Sequence, residues 1–226
     1  MKFVTKLKNS LKRIIRYRQG SGSNIDYWEK RVSTYGGKAV YNILHSEDEL
    51  KDVTLFQKQI IFPELKKYLT GSENTVLDFG CGTGRFTSDL GALINGKAIG
   101  VDPIESLLKI APLTNSIQYI KIVPGKKIPL KDNTIDVLFI CLVLGGIKEK
   151  ELNYLVKDFK RMLSNNALIC LIENTSSQPN GAYWYFRDDE WYQKLFYFAA
   201  LKKVCNYEDL GENISVFIGR ALGNYI

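Results

Sequence analysis

"VLDFGCGTG", Val76 to Gly84, sets an apolar, strand-like run and an aspartate directly ahead of a cluster of glycines and small residues. The strand ends near Phe79 and the next helix begins near Gly84, so Gly80, Gly82 and Gly84 form the turn between them. Lacking Cβ atoms, they let the backbone turn sharply and approach a ligand closely, at the carboxyl edge of a parallel sheet where open α/β folds bind cofactors. The spacing is GxGxG, and position 85, where a dinucleotide fingerprint places its third glycine, is Arg85. That argues against a pyrophosphate on the helix N-terminus. "KAIGVD" ends the following strand with Asp102, 22 residues after Gly80, and a carboxylate there can accept two hydrogen bonds from a ribose diol. Taken singly, the glycines read as a plain turn and Asp102 as a helix N-cap. Taken together, they suit a nucleoside without a diphosphate.

Outward from this motif, short apolar runs alternate with helical stretches. "TVLDF", "KAIGVD", "IQYIKIV", "TIDVLFICLV" and "ALICLIE" are strand candidates, separated by helices near 85–94, 104–111 and 148–163. A loop, an aromatic-rich helix and two last strands near 203–208 and 213–220 follow. This predicts an α/β fold with a parallel sheet covered on both faces. Upstream, "IDYWEKRVSTYGG" reads as a helix ending at paired glycines. "SEDE", Ser46 to Glu49, fits a capping box and opens a long helix towards Leu69 that Pro63 bends or divides. The expected division is 1–24 as a basic helix and linker and 25–226 as the main domain, with 25–70 a helical lid and 74–226 the sheet core.

The net charge of +7 is local: residues 1–18 hold seven basic residues and no acid, leaving 31 − 7 = 24 basic residues against 24 acidic ones. At ~100° per residue, Phe3, Val4, Leu7, Leu11, Ile14 and Ile15 fall on one face of a helix over 2–18. Such a helix, followed by the linker "QGSGSN", has the composition of a segment that lies on an anionic membrane surface; packing on the protein or a second subunit is the rival. With no long apolar run and no signal-peptide pattern, the expected location is cytoplasmic, peripheral at the inner face of the membrane if the helix binds there. The four cysteines are scattered without CxxC spacing, which fits reduced, packed thiols and no metal site.

"VLDFGCGTG", "IGVDP" and "IPLKDNTIDVLFICLVL" resemble, in order and spacing, the successive motifs of class I S-adenosylmethionine-dependent methyltransferases of the broad type 11 group. The resemblance implies a Rossmann-like, seven-stranded, mostly parallel sheet with helices on both faces, and S-adenosylmethionine as cofactor. It places Gly80, Gly82 and Gly84 against the methionine and ribose part, Asp78 at the amino-acid end, Asp102 on the ribose hydroxyls and Ile104 against the adenine. Cys81, Pro103 and Cys141 border the same site, and Arg31, on a lid helix, would meet the cofactor carboxylate. In place of the acidic residue that relatives carry before the "IPLKDNTID" segment stands "VPGKK", which leaves adenine recognition to backbone groups.

A hydroxyl acceptor needs its proton removed. "LVLGGI" lacks the histidine that many relatives carry after strand four; the single histidine, His45, reads as a capping or packing residue or as a base. Glu173, at the carboxyl end of a strand, is the candidate general base, with a loop-capping carboxylate as its alternative. Tyr183, Trp184 and Arg187, ahead of an aromatic helix, and Tyr27 on the lid are the candidate substrate residues, against a role in the core. With a neutral body and no "NPPY"-like segment, nucleic acid is not the expected substrate. The expectation is O-methylation of a sugar, glycan or other small acceptor, a loose likeness of "YWEKRVSTYGGKAV" to polysaccharide-modifying methyltransferases pointing to glycans. The alternative is a non-catalytic cofactor-binding fold that serves as a membrane-associated scaffold.

Overall fold

The computed structural model describes residues 23–223; the basic segment 1–18 lies outside them, so the expected surface helix does too. Helix α1 (Asn24–Tyr35) opens with a complete capping box, in which the Ser23 hydroxyl accepts from the Asp26 N–H and the Asp26 carboxylate accepts from the Ser23 N–H. It ends at Gly36, whose positive φ of 54° breaks the helical path, and a 3₁₀ turn over Gly36–Val40 follows.

Helix α2 (Leu50–Tyr68) starts later than the "SEDE" pattern suggests. Glu49 reaches back to the Ser46 N–H at 2.7 Å, while its own N–H donates to the Ser46 carbonyl at 3.3 Å, so only half of the predicted box forms. Pro63 lies inside α2 without dividing it.

The rest alternates strand and helix: β1 (Thr75–Phe79), α3 (Thr87–Leu93), β2 (Lys97–Asp102), α4 (Glu105–Leu108), β3 (Ile117–Lys121), β4 (Ile135–Cys141), a 3₁₀ turn over Leu144–Gly146, α5 (Glu149–Met162), β5 (Leu163–Asn174), α6 (Asp189–Leu195), β6 (Lys202–Asp209) and β7 (Glu212–Arg220). The seven strands form one sheet in the order β3-β2-β1-β4-β5-β7-β6. All adjacent pairs are parallel except those of β7, which runs antiparallel to both β5 and β6.

Side-chain alternation sends the two faces of each central strand into separate cores. Leu77, Phe79, Leu138, Ile140, Ile169 and Leu171 face α5 and α6, meeting Leu152, Val156 and Phe159 at the i, i+4, i+7 positions of α5. Val76, Val137, Phe139, Leu168, Cys170 and Ile172 face the other way, against Ile61 and Leu65 of α2 and Leu90 of α3. The chain leaves β1 in one direction towards β3 and returns to β4 on its other side, so a crevice opens between the carboxyl ends of β1 and β4. Among the described residues no helix is long and apolar enough to cross a membrane.

Candidate functional site

A cavity of about 630 Å³ opens at that crevice. Its walls come from the turn after β1, the end of β2, the segment after β3 and the end of β4, and include Asp78, Gly80, Cys81, Gly82, Asp102, Pro103, Ile104 and Cys141. Gly80 and Gly82 have φ of 73° and 55°, in the left-handed region that side chains rarely adopt. They are also sterically closed: a Cβ on Gly80 would lie 2.7 Å from Cγ1 of Val143, and one on Gly82 would lie 2.6 Å from Cγ1 of Val40. Neither turn nor approach tolerates another residue.

Asp102 braces this turn. Its Oδ2 accepts from the Gly82 N–H at 3.0 Å and its Oδ1 from the Ile104 N–H at 2.8 Å, fixing the turns after β1 and β2 together. Each carboxylate oxygen retains a second lone pair. Burial pushes the carboxyl up to about 6, while the two backbone donors pull it down. Asp78 is buried at the floor, and its Oδ2 accepts from the Thr87 hydroxyl at 2.6 Å. Burial raises it to about 7, the Thr87 bond and the Arg85 charge opposing the rise. Both carboxylates therefore gain from any ligand that brings a positive charge or hydrogen-bond donors. The Cys141 thiol, pushed up to about 12 by burial, is no nucleophile.

Gly84 and Arg31 do not line this cavity. A Cβ on Gly84 would collide with the Tyr119 hydroxyl, so this glycine serves the packing of β3 against the turn. Arg31 folds back on its own lid, where its Nε donates to the Ala39 carbonyl at 2.8 Å and an Nη to the Tyr41 carbonyl at 2.7 Å. The cation beside Asp78 is Arg85, which stacks over the Tyr41 ring at 4.3 Å and donates to the Gln57 side chain at 3.0 Å; Lys126, Lys127, Lys157 and Arg161 line other parts of the cavity. Its place immediately after the glycine motif was visible in the sequence, but only as the mark of a missing glycine.

A smaller pocket, about 50 Å³, adjoins the first and shares Trp28, Val40, Arg85 and Leu142 with it. Its other walls include Arg31, Tyr41, Trp184, Asp209 and Glu212. Leu142, at the junction, holds φ at 58°, a strained state for a bulky residue. Of the four expected substrate residues, only Trp184 lines this pocket. Tyr27 and Tyr183 stack on each other, centroids 4.3 Å apart, and so latch α1 to the segment ahead of α6. Asn24 adds a side-chain hydrogen bond to the Gly146 carbonyl. Arg187 donates to the Leu144 and Ile147 carbonyls at 2.8 and 2.7 Å, pinning the same segment to the turn after β4.

Glu173 corrects the sequence reading most. It lines neither cavity and is fully buried. Its carboxylate accepts from the N–H groups of Val143 and Leu144 at 2.9 and 2.6 Å and of Gly145 at 3.2 Å. Burial lifts the carboxyl to about 7 against the pull of these donors. A group enclosed in this way reaches no acceptor: it is the loop-capping carboxylate, and the general-base assignment falls on geometry. Within "LVLGGI", which holds no histidine, a Cβ on Gly145 would sit 2.5 Å from the Trp184 ring.

Residues 77–171 match the Methyltransferase domain family of type 11. Phosphoethanolamine N-methyltransferase 1 of Triticum aestivum is 23% identical over 208 residues, 88% of this chain and 40% of that protein. Phosphoethanolamine N-methyltransferase 3 of Arabidopsis thaliana is 26% identical over 178 residues, 73% of this chain and 35% of that protein. The chain thus spans well under half the length of the curated relatives it matches. A crystal structure of a SAM dependent methyltransferase from Aquifex aeolicus superposes with a TM-score of 0.58 at 19% identity, covering 79% of this chain and 100% of that one. At that identity the likeness is one of fold.

The residues present fit the cofactor that the family implies: a glycine cradle that any Cβ would fill, a carboxylate at the end of β2, and a cavity of ligand size between them. Residues 77–171 thus match a methyltransferase family, the fold is that of S-adenosylmethionine-dependent methyltransferases, and S-adenosylmethionine is the cofactor that these likenesses imply.

Proposed function

We propose that this chain methylates a compact polar acceptor, bearing an amine and an anionic group, held in the pocket of about 50 Å³ beside the cofactor cavity. The observation that carries the reading is the shared wall: Trp28, Val40, Arg85 and Leu142 face both spaces, so an acceptor in one abuts a cofactor in the other. The cofactor supplies an activated methyl group. The chain's own residues hold and orient. Asp102 keeps two lone pairs for the ribose hydroxyls, Arg85 stands beside Asp78 where the amino-acid end belongs, and Ile104 offers an apolar wall to the base.

In the smaller pocket, Asp209 and Glu212 supply negative charge and Trp28, Tyr41 and Trp184 supply aromatic surfaces, a lining suited to an ammonium group. Arg31 and Arg85 supply positive charge for an anionic end. The relatives named as phosphoethanolamine N-methyltransferases act, by name, on a molecule with both ends. The aromatic lining also favours a second reading, O-methylation of a sugar. The volume weighs against it: at about 10–15 Å³ per water-sized position, 50 Å³ suits a small head group better than a sugar ring.

Calorimetry of S-adenosylmethionine with the full chain and with Asp102→Ala tests the cofactor site, and mass spectrometry after incubation with labelled cofactor tests the acceptor. Phosphoethanolamine, ethanolamine, sugar nucleotides and lipid-linked glycans form the panel. Turnover on the amines supports the reading; turnover on the glycans alone replaces it with the second. Cofactor binding without turnover on any acceptor favours a scaffold.

A further inference from the structure

Methyl transfer to an ammonium or a hydroxyl leaves one proton to be removed for each bond formed, and the pocket assigned to the acceptor is small and walled by large side chains. Resting on that reading, we propose that Asp209 and His45 form a relay that carries this proton from the acceptor pocket to solvent. Asp209 ends β6 and lines two spaces at once: the acceptor pocket, and a separate groove of about 280 Å³ whose walls include His45, Glu49, Phe56 and Tyr207. It is the place where pocket and groove meet on a carboxylate.

The geometry is that of a chain of exchangeable groups. His45 Nε2 lies 2.7 Å from Asp209 Oδ1, and His45 Nδ1 lies 3.6 Å from Glu49 Oε2. The side chains become more exposed at the outer end of this path, with Asp209 at 12%, His45 at 10% and Glu49 at 58%. A bond between residues 164 apart in sequence ties the loop before α2 to the end of β6, and the His45 N–H is fixed on the Asn42 carbonyl at 3.0 Å. The charged groups around the pair are Arg31, Arg85 and Glu212 on the pocket side and Glu49, Asp52 and Glu208 on the groove side.

The step balances as follows. A hydroxyl acceptor's proton passes to the Asp209 carboxylate as the O–C bond forms, and an ammonium acceptor's passes there before its nitrogen attacks; in both, the donor C–S bond breaks with its electron pair staying on sulfur. Asp209 hands that proton to a bare Nε2 of His45, and the imidazolium so formed releases the proton on Nδ1 to Glu49 or water. Asp209 returns to its anion, His45 is neutral once Nδ1 has lost its proton, and the remaining ring proton then moves from Nε2 to Nδ1 through solvent, which bares Nε2 for the next turnover. This role needs no group at Gly145, where Trp184 excludes a side chain.

His45→Gln keeps a polar partner for Asp209 but cannot take up and release a proton. With the acceptor identified by the panel, kcat at neutral pH is expected to fall by roughly 10²-fold, with KM within about two-fold of wild type and an unchanged melting temperature. His45→Gly is expected to regain turnover when imidazole is added, since the groove admits it. A second readout needs no turnover. His45 is the single histidine of the chain, so its ring ¹⁵N signals are unambiguous. In the full chain loaded with S-adenosylhomocysteine, ethanolamine should move them in wild type and leave them unmoved in Asp209→Asn. A cofactor-loaded chain whose imidazole ignores ethanolamine, or a His45→Gln variant at the wild-type rate, overturns the relay. Failure to bind the cofactor overturns the functional reading instead.

Discussion

The turn around Gly80 and Asp102 is held by left-handed glycines and bonds to main-chain N–H groups, whereas the pocket beside the cavity is shaped by side chains gathered from distant segments. On the cofactor side, two left-handed glycines and one carboxylate bonded to two backbone N–H groups lie within 25 residues of one another. On the acceptor side, Trp28, Tyr41, Arg85, Trp184 and Asp209 come from the lid, the turn after it, the glycine loop, the segment before α6 and the end of β6. The first arrangement follows from local geometry and admits few substitutions. The second depends on how separate elements dock, so its chemistry can change while the fold stays.

The comparison breaks first at Gly80 if it breaks at all. Gly80→Ala adds a side chain at a φ of 73° and drives it into Val143, so a loss of roughly 3 kcal/mol of stability is expected, with cofactor binding undetectable by calorimetry. Gly71→Ala provides the contrast. Its φ is 83° but nothing lies within 4 Å of the added Cβ, so about 1 kcal/mol and unaltered cofactor binding are expected. Equal effects at the two glycines would show that the turn needs only backbone freedom.

Glu173 separates the two regions from below. Glu173→Gln places an amide where Val143, Leu144 and Gly145 all present N–H groups. At least one donor then faces another donor, and chemical denaturation should show a loss of about 2–3 kcal/mol. Turnover per folded molecule should persist. A variant that folds as well as wild type yet is inactive would return Glu173 to the chemistry.

The extent to which each region was legible follows from the same difference. β1, β2 and the glycine turn were readable because strand period, left-handed glycines and a terminal carboxylate are local signals, and β1 and β2 have the predicted ends. Gly84 was misjudged because a glycine needed for packing against Tyr119 looks, in sequence, like one needed for a ligand. Glu173 was misjudged because strand position tells which end of the sheet a carboxylate occupies, while its direction depends on the turn after β4, 30 residues earlier. Arg31 was placed on the right lid, but its partners are carbonyls of that lid. Asp209 and Glu212 flank a tight turn and carry no local sign that the β6–β7 hairpin will reach α1.

Asp78 sharpens the comparison through pH. Its carboxyl rises from 3.8 to about 7 on folding, so the folded chain binds the extra proton between those values. The sign is therefore that stability is favoured below pH 3.8 and is progressively lost as pH rises through about 7. Asp78→Asn keeps an oxygen for the Thr87 hydroxyl and removes the buried charge. Without cofactor it should be more stable than wild type at pH 8, by roughly 2 kcal/mol, with the gap narrowing as pH falls below about 7 and closing towards pH 3.8. Cofactor affinity should fall at every pH. A gap independent of pH would remove the buried charge from the account.

The smallest expected effect is on the acceptor side, at Trp184. Its ring occupies the space over Gly145, and among the described residues its indole N–H, buried, finds no hydrogen-bond acceptor. An unsatisfied buried donor costs about 1–3 kcal/mol. Trp184→Phe removes that donor while giving up part of the ring's packing, and the two changes oppose each other. Thermal melts should therefore place the variant within about 1 kcal/mol of wild type, and calorimetry should find cofactor binding intact. Acceptor KM should nevertheless rise, because the pocket loses part of an aromatic wall. If cofactor affinity falls in step with acceptor affinity, the two spaces form one side-chain-built site and their contrast dissolves. If only the acceptor responds, the main-chain cradle and the side-chain pocket are separable, as their construction indicates.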